Sequence, residues 1–404
     1  MSRRRAASVP PGSTLRRLTP AVVLLVSLAW VAGGGQADLP LGEPEIVAEG
    51  ISLFRLDDPR LLDPPGPIAV YLLRLDPSRV ELQSALAGEQ SWATDTVQRM
   101  AERQQAAAAI NGGFFEPSGT PAGVLKMAGR ELSVDSRPRG ALGIAGPDPT
   151  APARLLFDRV TIEASAIFRV DGRNHTAPIA GIDTTRLRGR LMLYTPRSGR
   201  DTGTAPAGTE WILAGSPLRV TRRQVGRGKS RIPSDGVVLS FGGTIAPPPL
   251  DRLSAGSEVA IVYQYRTEFG SSPAAWASAR DITGGAGLLL VGNRLLDDWA
   301  PERFTRRGFT TDRHPRTLVG VGPHDEIWMA AVDGRQPNRS LGMSFEELQR
   351  LAQALKLRDA LNLDGGGSTT MVVGNRTVNQ PSDPAGPRRV SDALLVFARG
   401  RVSP

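Results

Sequence analysis

The 404-residue sequence contains no cysteine, only three histidines and few aromatic residues. The absence of cysteine excludes disulfide bonds, thiolate metal sites and a cysteine nucleophile. The histidines, His175, His314 and His324, are too scattered to predict a zinc triad. No segment has the spacing of a calcium-binding loop, and no glycine-rich loop carries the lysine of a nucleotide-binding signature.

The positive charge of the chain is concentrated at its N-terminus. The formal net charge is +9, and without the five arginines of the first 17 residues it is +4, so nucleic-acid binding gains little support. The other basic residues are nearly all arginine, which binds phosphate or carboxylate through paired hydrogen bonds.

Residues 1–37 have the pattern of a secretory signal peptide. Basic residues precede an apolar run from Ala21 to Ala32, and small residues allow cleavage after Ala37. The run is shorter than the roughly 20 residues that a membrane-spanning helix needs. We expect a secreted, periplasmic or cell-envelope protein, with membrane attachment only if this segment stays uncleaved.

The sequence predicts an α+β fold, with mostly antiparallel β-sheets and a few packed helices. Glycine (45) and proline (33) are plentiful, which favours short strands and turns. Helices are predicted over Thr94–Gln105 and Ser344–Lys356, the second opened by a capping box of Ser344 and Glu347. Hairpins are predicted over three segments, 124–132, 288–296 and 371–378.

The mature chain is predicted to have three parts. Residues 38–150 and 276–400 are predicted to be the two parts of one domain. Residues 151–275 are predicted to be a β-rich insertion, with strands at 155–170, 191–194, 211–213, 237–241 and 259–265. Its loops are rich in arginine and glycine, notably from Arg222 to Ser234.

Two strands run into glycine turns and deliver polar groups there. Asn362 and Asp364 alternate with leucines before Gly365, Gly366 and Gly367, and Ser368 and Thr369 follow. Asn111 likewise leads into Gly112 and Gly113. Such turns let a backbone approach a ligand, and their N–H groups and hydroxyls can bind an anion. Taken alone, the turn after Asp364 is equally typical of an ordinary glycine-rich hairpin loop with a surface aspartate.

An ordered set of motifs resembles the phosphodiester glycosidase family over roughly residues 80–397. The motifs are Asn-Gly-Gly-Phe-Phe (111–115), Arg-His-Pro-Arg-Thr (313–317), Val-Asp-Gly-Arg (332–335), Asn-Leu-Asp-Gly-Gly-Gly-Ser-Thr-Thr-Met (362–371), Asn-Gln-Pro-Ser-Asp (379–383), Arg-Arg-Val (388–390) and Ala-Leu-Leu-Val (393–396). Two features depart from the family. Gly386-Pro387-Arg388 stands where Gly-Glu-Arg is frequent, and the middle segment is long.

The resemblance implies hydrolysis of a sugar-1-phosphodiester at its anomeric C–O bond. By this likeness Asp364 is the carboxylate, as nucleophile or general base, unless it only braces the glycine turn. Asp333 is the second candidate. Arg316 would clamp the phosphate, assisted by Arg313 or Arg389, and His314 could carry a proton.

The remaining predicted site residues would bind substrate. They are Asn111, Gly112, Gly113, Asn362, Gly365, Gly366, Gly367, Ser368, Thr369 and Ser382. Phe114 and Phe115 are assigned to the core rather than to a sugar platform. No cofactor or metal is expected, although Asp364, Asp333 and Asn362 offer oxygens to a divalent cation.

We therefore expect a secreted phosphodiester glycosidase acting on envelope or extracellular polysaccharide, with a sugar-phosphate substrate and no nucleic-acid partner. Two alternatives remain open from the sequence. One is a non-catalytic glycan-binding protein of the exopolysaccharide or cell-wall machinery. The other is an envelope phosphodiesterase that cleaves P–O instead of C–O.

Overall fold

A computed structural model describes residues 39, 41–146, 151–304 and 306–399 of the chain. Their α-helices are α1 (Val97–Gln104), α2 (Pro273–Ser278) and α3 (Phe345–Ala354). Their strands are β1 (Glu45–Ala48), β2 (Ile51–Leu56), β3 (Val70–Leu75), β4 (Val80–Leu86), β5 (Ala108–Asn111), β6 (Leu125–Met127), β7 (Arg130–Ser133), β8 (Asp135–Ile144), β9 (Leu155–Val170), β10 (Arg173–Ile182), β11 (Leu191–Tyr194), β12 (Thr209–Ala214), β13 (Arg219–Val225), β14 (Gly236–Phe241), β15 (Val259–Thr267), β16 (Asp281–Gly284), β17 (Leu288–Val291), β18 (Arg294–Leu295), β19 (Arg316–Val321), β20 (Ile327–Val332), β21 (Asp359–Asn362), β22 (Met371–Val373), β23 (Arg376–Thr377) and β24 (Asp392–Ala398).

The predicted α+β class is confirmed, since strands predominate and few helices accompany them. The predicted signal peptide lies outside the described residues. Within the described part of the chain, no helix has the length and apolarity needed to cross a membrane.

The strands form three sheets. An eight-stranded sheet has the order β1-β2-β3-β20-β19-β21-β17-β18, and a five-stranded sheet has the order β23-β22-β5-β24-β4. An eleven-stranded sheet has the order β13-β12-β14-β11-β10-β9-β8-β16-β6-β7, with β15 paired to β9. Neighbouring strands run antiparallel, except that β10 and β11 are parallel.

The main core lies between the eight-stranded and five-stranded sheets, where Leu73, Ile110 and Leu394 are buried in one cluster. Each sheet is covered by a helix on its other face: α3 packs on the eight-stranded sheet and α1 on the five-stranded sheet. Burial of one leucine of α3, such as Leu348, stabilises the fold by about 1.5–3 kcal/mol.

Several local predictions are confirmed. The capping box of α3 is present: the Ser344 hydroxyl accepts from Glu347 N–H (3.2 Å), and the Glu347 carboxylate accepts from Ser344 N–H (2.9 Å). The three predicted hairpins correspond to β6–β7, β17–β18 and β22–β23. In the second of these, Gly292 and Asn293 both have positive φ, which matches the right-handed twist of the strands.

The middle segment contains the five predicted strands as β9, β11, β12, β14 and β15. Two strands, β10 and β13, were not predicted. Strand β10 contains Pro178 and is half exposed, and β13 is a mostly exposed edge strand with three arginines. This segment has its own core around Trp211, yet β9 also pairs with β8. Its boundaries at 151 and 275 stay predictions.

Strand pairing brings four chain segments to one place. Because β19 and β20 are antiparallel, the start of β19 at Arg316 lies beside the end of β20 at Val332. The end of β21 at Asn362 pairs with Leu318 of β19. The end of β5 lies next to this point, because Asp364 N–H, just after β21, donates to the C=O of Gly112, just after β5 (3.2 Å).

Candidate functional site

A cavity of about 600 Å³ opens where loops from all three sheets meet. It is lined by Phe114, Glu116, Ala122, Arg137, Arg139, Ala286, Arg303, Phe304, Arg306, Phe309, His314, Pro315, Arg316, Arg335, Asp364, Gly365, Gly366 and Arg388. Five predicted site residues are among them: Asp364, Arg316, His314, Gly365 and Gly366.

Asp364 is held by its backbone, and its carboxyl is left facing the cavity. The Asn111 side-chain amide donates to Asp364 C=O (2.7 Å), and Asn111 Oδ1 accepts from the Thr317 hydroxyl (2.8 Å) and Thr370 N–H (3.2 Å). The buried Asn111 amide therefore joins three strands behind Asp364. It lies outside the cavity lining, so it acts here as a brace for the backbone of Asp364.

The Asp364 carboxyl is enclosed by protein on most sides but keeps a solvent-accessible face toward the cavity. Burial raises its pKa to about 6, although Gly365 N–H donates to its Oδ1 (2.8 Å) and opposes that rise. At pH 7 the group is therefore mostly ionised and can still accept a proton, which suits a general base.

The glycine turn after Asp364 has steric reasons for its composition. Gly366 has φ of +62°, and a Cβ there would lie 2.9 Å from Nη2 of Arg335. A Cβ on Gly365 would lie 2.6 Å from the Pro315 carbonyl. The two glycines thus let Arg335 and the Pro315 backbone close over the turn.

Asp333 has no place in the cavity lining. Its carboxylate accepts hydrogen bonds from the Asn379 amide (3.0 Å) and from Gln380 N–H (3.0 and 3.1 Å), and it pairs with Arg339 at 3.3 Å. Burial raises its pKa. The carboxylate fastens the chain at Asn379 and Gln380 to the end of β20, which is a structural function.

Arg316 lines the cavity but is largely committed to the protein. Its Nε donates to Met343 C=O (2.8 Å), and Nη2 donates to Phe309 C=O (2.7 Å) and Asp312 C=O (3.1 Å). Its guanidinium also lies over the Phe345 ring (4.7 Å). Burial lowers its pKa to about 9, and nearby Arg306 adds to this. Only Nη1 remains to bind an anion, so bidentate clamping of a phosphate through Nε and Nη2 of Arg316, predicted with help from Arg313 or Arg389, does not match this geometry.

His314 is a neutral imidazole in this environment. Burial lowers its pKa to about 4, and three neighbouring arginines, Arg316, Arg335 and Arg306, act in the same direction. Neither ring nitrogen has a hydrogen-bond partner among the described residues. Both nitrogens are also buried from solvent, so the ring presents no free polar atom to the cavity.

The sequence did not single out most of the arginines around the cavity. Seven arginines line it, against two carboxylates, Asp364 and Glu116. Arg137 pairs with Asp135 and Arg388 with Asp383, whereas Arg303, Arg306 and Arg335 have no carboxylate within ion-pair distance in the part of the chain that is described. Such a surplus of positive charge favours an anionic ligand.

The loop that carries Arg303 and Arg306 forms one side of the cavity and begins after Glu302, whose carboxylate is fully buried. It accepts from the N–H groups of Gly140 (3.1 Å), Gly287 (2.9 Å) and Leu288 (3.2 Å), and it pairs with Arg159 at 3.4 Å. This carboxylate fixes the start of the loop to β8 and β17. It has no motif signal in the sequence.

One wall of the cavity is aromatic. Phe309 packs against Phe304 (4.7 Å between ring centroids), Phe114 (6.0 Å) and Phe345 (5.4 Å). Phe114 lines the cavity, which corrects its assignment to the core. An apolar ring surface beside arginines suits a sugar that carries a phosphate.

The other predicted site residues lie outside the cavity lining. Arg313 pairs with Glu347 (2.6 Å), Arg389 binds Thr94 C=O, and Asn362 donates to Ala286 C=O (2.7 Å). The rest also lie outside the lining: Gly112, Gly113, Gly367, Ser368, Thr369 and Ser382. The hydroxyls of Ser368 and Ser382 are buried without a hydrogen-bond partner among the described residues. A role for any of them in substrate binding stays a prediction.

No group of three or more histidine, aspartate or glutamate side chains converges to hold a metal ion within residues 41–146, 151–304 and 306–399. Asp333 and Asp364 are engaged by different donors, Gln380 N–H and Gly365 N–H respectively. The suggested cation ligands Asp364, Asp333 and Asn362 therefore serve separate local structures.

Part of the sequence is similar to a known protein family. The sequence model of the phosphodiester glycosidase family matches residues 212–397. This range contains Asp364, His314, Arg316, Arg335 and Arg388, and it begins inside the β-rich middle segment. No curated protein sequence matches the chain.

Three solved structures are similar. A hypothetical protein from Synechocystis aligns with a TM-score of 0.74 at 23% identity, covering 89% of this chain, which spans 64% of that protein. A putative exported protein from Burkholderia pseudomallei aligns with a TM-score of 0.70 at 25% identity, covering 82% of this chain and 74% of that one. The zebrafish N-acetylglucosamine-1-phosphodiester alpha-N-acetylglucosaminidase catalytic domain, auto-inhibited by its pro-peptide, aligns with a TM-score of 0.43 at 15% identity, covering 86% and 83%. The first two alignments show a shared fold.

Proposed function

Because the phosphodiester glycosidase family model matches residues 212–397, we propose that this chain hydrolyses the anomeric C–O bond of a sugar-1-phosphodiester in envelope or extracellular polysaccharide. The observation that carries this proposal is the position of Asp364, an accessible carboxylate with a raised pKa in a cavity lined by seven arginines. Anion binders beside one carboxylate are what the reaction requires.

The arginines would bind the phosphodiester and stabilise the charge that develops as the phosphate departs. Arg335 lies over the glycine turn next to Asp364, and Arg316 contributes Nη1. A phosphomonoester is a good leaving group, so the reaction needs little help from a general acid. A second carboxylate acting as a general acid is therefore less necessary than in ordinary glycosidases.

Asp364 would act on the face of the sugar opposite the phosphate. As a general base it takes a proton from water, the water oxygen bonds to the anomeric carbon, and the C–O bond to phosphate breaks. As a nucleophile it forms a glycosyl ester that water then hydrolyses. The first route inverts the anomeric configuration and the second retains it, so product stereochemistry distinguishes them.

The substrate would lie with its sugar on the aromatic wall and its phosphate toward the arginines. Phe114, Phe304 and Phe309 offer the apolar surface. The proposal includes no cofactor and no nucleic-acid partner.

We propose that the protein is exported. Two observations support this. Residues 1–37 have a signal-peptide pattern, and the similar structure from Burkholderia pseudomallei is described as a putative exported protein. Fractionation of cells expressing the full chain tests this directly. Retention in the cytoplasm with residues 1–37 intact would contradict it.

The catalytic proposal is tested with the chain from Asp38 onward and a panel of sugar-1-phosphodiesters that includes UDP-N-acetylglucosamine. Free reducing sugar is measured for the parent, for Asp364→Asn and for Glu116→Gln, the matched change at the other cavity carboxylate. We expect release by the parent and by Glu116→Gln, and none by Asp364→Asn. Equal release by all three would contradict the role of Asp364.

The same assay in ¹⁸O-labelled water distinguishes the alternatives. Label in the sugar indicates C–O cleavage, and label in the phosphate indicates the P–O-cleaving phosphodiesterase. If no substrate is cleaved but a polysaccharide fragment binds tightly, the chain is a glycan-binding protein.

A further inference from the structure

The arginine-rich loops of the middle segment come together at one end of the eleven-stranded sheet. The backbone N–H of Gly189 donates to Gly242 C=O (2.8 Å), Gly226 N–H to Gly208 C=O (2.8 Å), and Ile232 N–H to Arg200 C=O (3.0 Å). The Arg186 guanidinium also donates to Ala205 C=O, and the strand register sets the starts of β11 and β12 beside the ends of β14 and β13. Three loops that are distant in sequence, 186–190, 200–208 and 226–231, therefore lie together at the same sheet end.

These loops expose six cationic side chains. They are Arg188, Arg190, Arg200, Arg227, Lys229 and Arg231, which we call the basic surface. None of the six has a carboxylate partner within ion-pair distance in the described structure, whereas exposed arginines elsewhere, such as Arg219 and Arg266, pair with glutamates. The acidic group within these loops is Asp201, whose carboxylate accepts from Gly203 N–H (2.8 Å).

The loops are fixed from inside by a buried carboxylate. Glu210, on β12, accepts from the hydroxyls of Thr202 (3.0 Å), Thr204 (2.7 Å) and Ser240 (2.9 Å), and from Ser230 N–H (3.1 Å). Burial of a carboxylate is costly unless it is hydrogen-bonded in this way. The network holds 202–204 and 230 in place, so the cations beside them are displayed on an ordered scaffold rather than on loose loops.

We propose that the basic surface is a second binding site, which holds an anionic polysaccharide while the cavity cleaves it. This inference rests on the proposed function, since a polymer with phosphodiester links repeats a negative charge along its length. Unpaired cations on a fixed surface attract such a chain through its repeated charges. Loops 186–190, 200–208 and 226–231 contain no aromatic residue, so they lack the stacking platforms typical of single-stranded nucleic-acid binders.

The test measures binding of the chain from Asp38 onward to a phosphodiester-linked capsular polysaccharide at several salt concentrations. The variant Arg190→Gln/Arg227→Gln/Arg231→Gln removes three charges from the basic surface. The matched control, Arg169→Gln/Arg173→Gln/Arg294→Gln, removes three exposed arginines outside it with the same change in net charge. We expect affinity at low salt to fall at least about tenfold in the first variant only, with a shallower salt dependence.

Hydrolysis of a small sugar-1-phosphodiester should be the same in all three proteins, because these arginines lie outside the cavity lining. An equal loss of binding in both variants would overturn the proposal, since net charge alone would explain it. Tighter binding to single-stranded DNA or to anionic phospholipid vesicles than to the polysaccharide would also overturn it.

The same measurements separate the second site from the catalytic proposal. If binding depends on the basic surface but no substrate is hydrolysed, the catalytic proposal fails and the second site stands. If the small substrate is hydrolysed but the polysaccharide does not bind, the second site fails and the catalytic proposal stands.

Discussion

Asp364 and Asp333 are two aspartates with the same local sequence pattern and opposite surroundings. Each follows a buried strand and precedes a glycine. Asp333 is covered by the Asn379–Gln380 segment, which occupies both of its oxygens, whereas Asp364 keeps a face toward the arginine-lined cavity. The comparison teaches that burial alone does not identify a reactive carboxylate. What matters is whether the protein uses up its hydrogen-bonding capacity.

The largest expected effect is on activity at Asp364. Asp364→Asn should lower kcat/KM for a sugar-1-phosphodiester by about 10²–10⁴-fold, because the group that accepts the proton is lost. Asp333→Asn, which keeps an acceptor oxygen at its own site, should retain most of the activity per folded molecule. Steady-state kinetics of both variants tests this difference between the two aspartates. An equal loss of activity in the two variants would contradict it.

The next effect is on stability at Asp333. Asp333→Ala should reduce the free energy of unfolding by about 2–4 kcal/mol, because the Asn379 amide and Gln380 N–H lose their acceptor inside the protein. Urea unfolding measures this loss. Asp333→Asn serves as the milder control, and a free energy unchanged in Asp333→Ala would show that the Asn379–Gln380 segment does not depend on this carboxylate.

A stability difference of opposite sign is expected at Asp364. Its folded-state pKa, about 6, is above the ordinary value of 3.8, so the fold favours the protonated form and is weakened as pH rises from 3.8 through 6. Asp364→Asn removes this cost and should be more stable than the parent at pH 8, by up to about 2–3 kcal/mol. Below pH 3.8 the difference should vanish. Thermal unfolding across this pH range would contradict the idea if the parent were the more stable protein at pH 8.

The smallest effect concerns the acidic limb of the rate profile. If Asp364 must be ionised, kcat/KM should fall about tenfold per pH unit below pH 6 and level off above it. Asp333→Asn should leave the midpoint of this limb unchanged. A midpoint near the ordinary pKa of an exposed carboxylate, about 4, would show that another group controls the rate.

Local signals in the sequence predicted much of the scaffold. The Gly-Asn turns, the capping box of Ser344 and Glu347, and the two glycine turns are patterns of a few adjacent residues, and the structure contains each of them. These features depend on backbone geometry and nearest neighbours. They can therefore be inferred without the tertiary structure.

The cavity lining could be predicted only in part, because side-chain direction depends on pairing between distant segments. Arg388 lines the cavity and pairs with Asp383, while its neighbour Arg389 points to Thr94 C=O. These two adjacent arginine side chains point in different directions, and the Arg-Arg motif does not reveal which of them faces the cavity. The arginines on β8, Arg137 and Arg139, come from a strand with no motif at all.

The buried carboxylate of Glu302 has a consequence for how this scaffold can change. Its bonds to Gly140, Gly287 and Leu288 set the point where the loop with Arg303, Phe304, Arg306 and Phe309 departs from the sheets. Replacements of the exposed Arg303 and Arg306 leave that anchor untouched and alter the wall of the cavity, whereas Phe304 and Phe309 pack against the buried Phe345. For directed evolution toward other substrates, Arg303 and Arg306 are the first positions to randomise, and Glu302, Phe304 and Phe309 are the residues to keep.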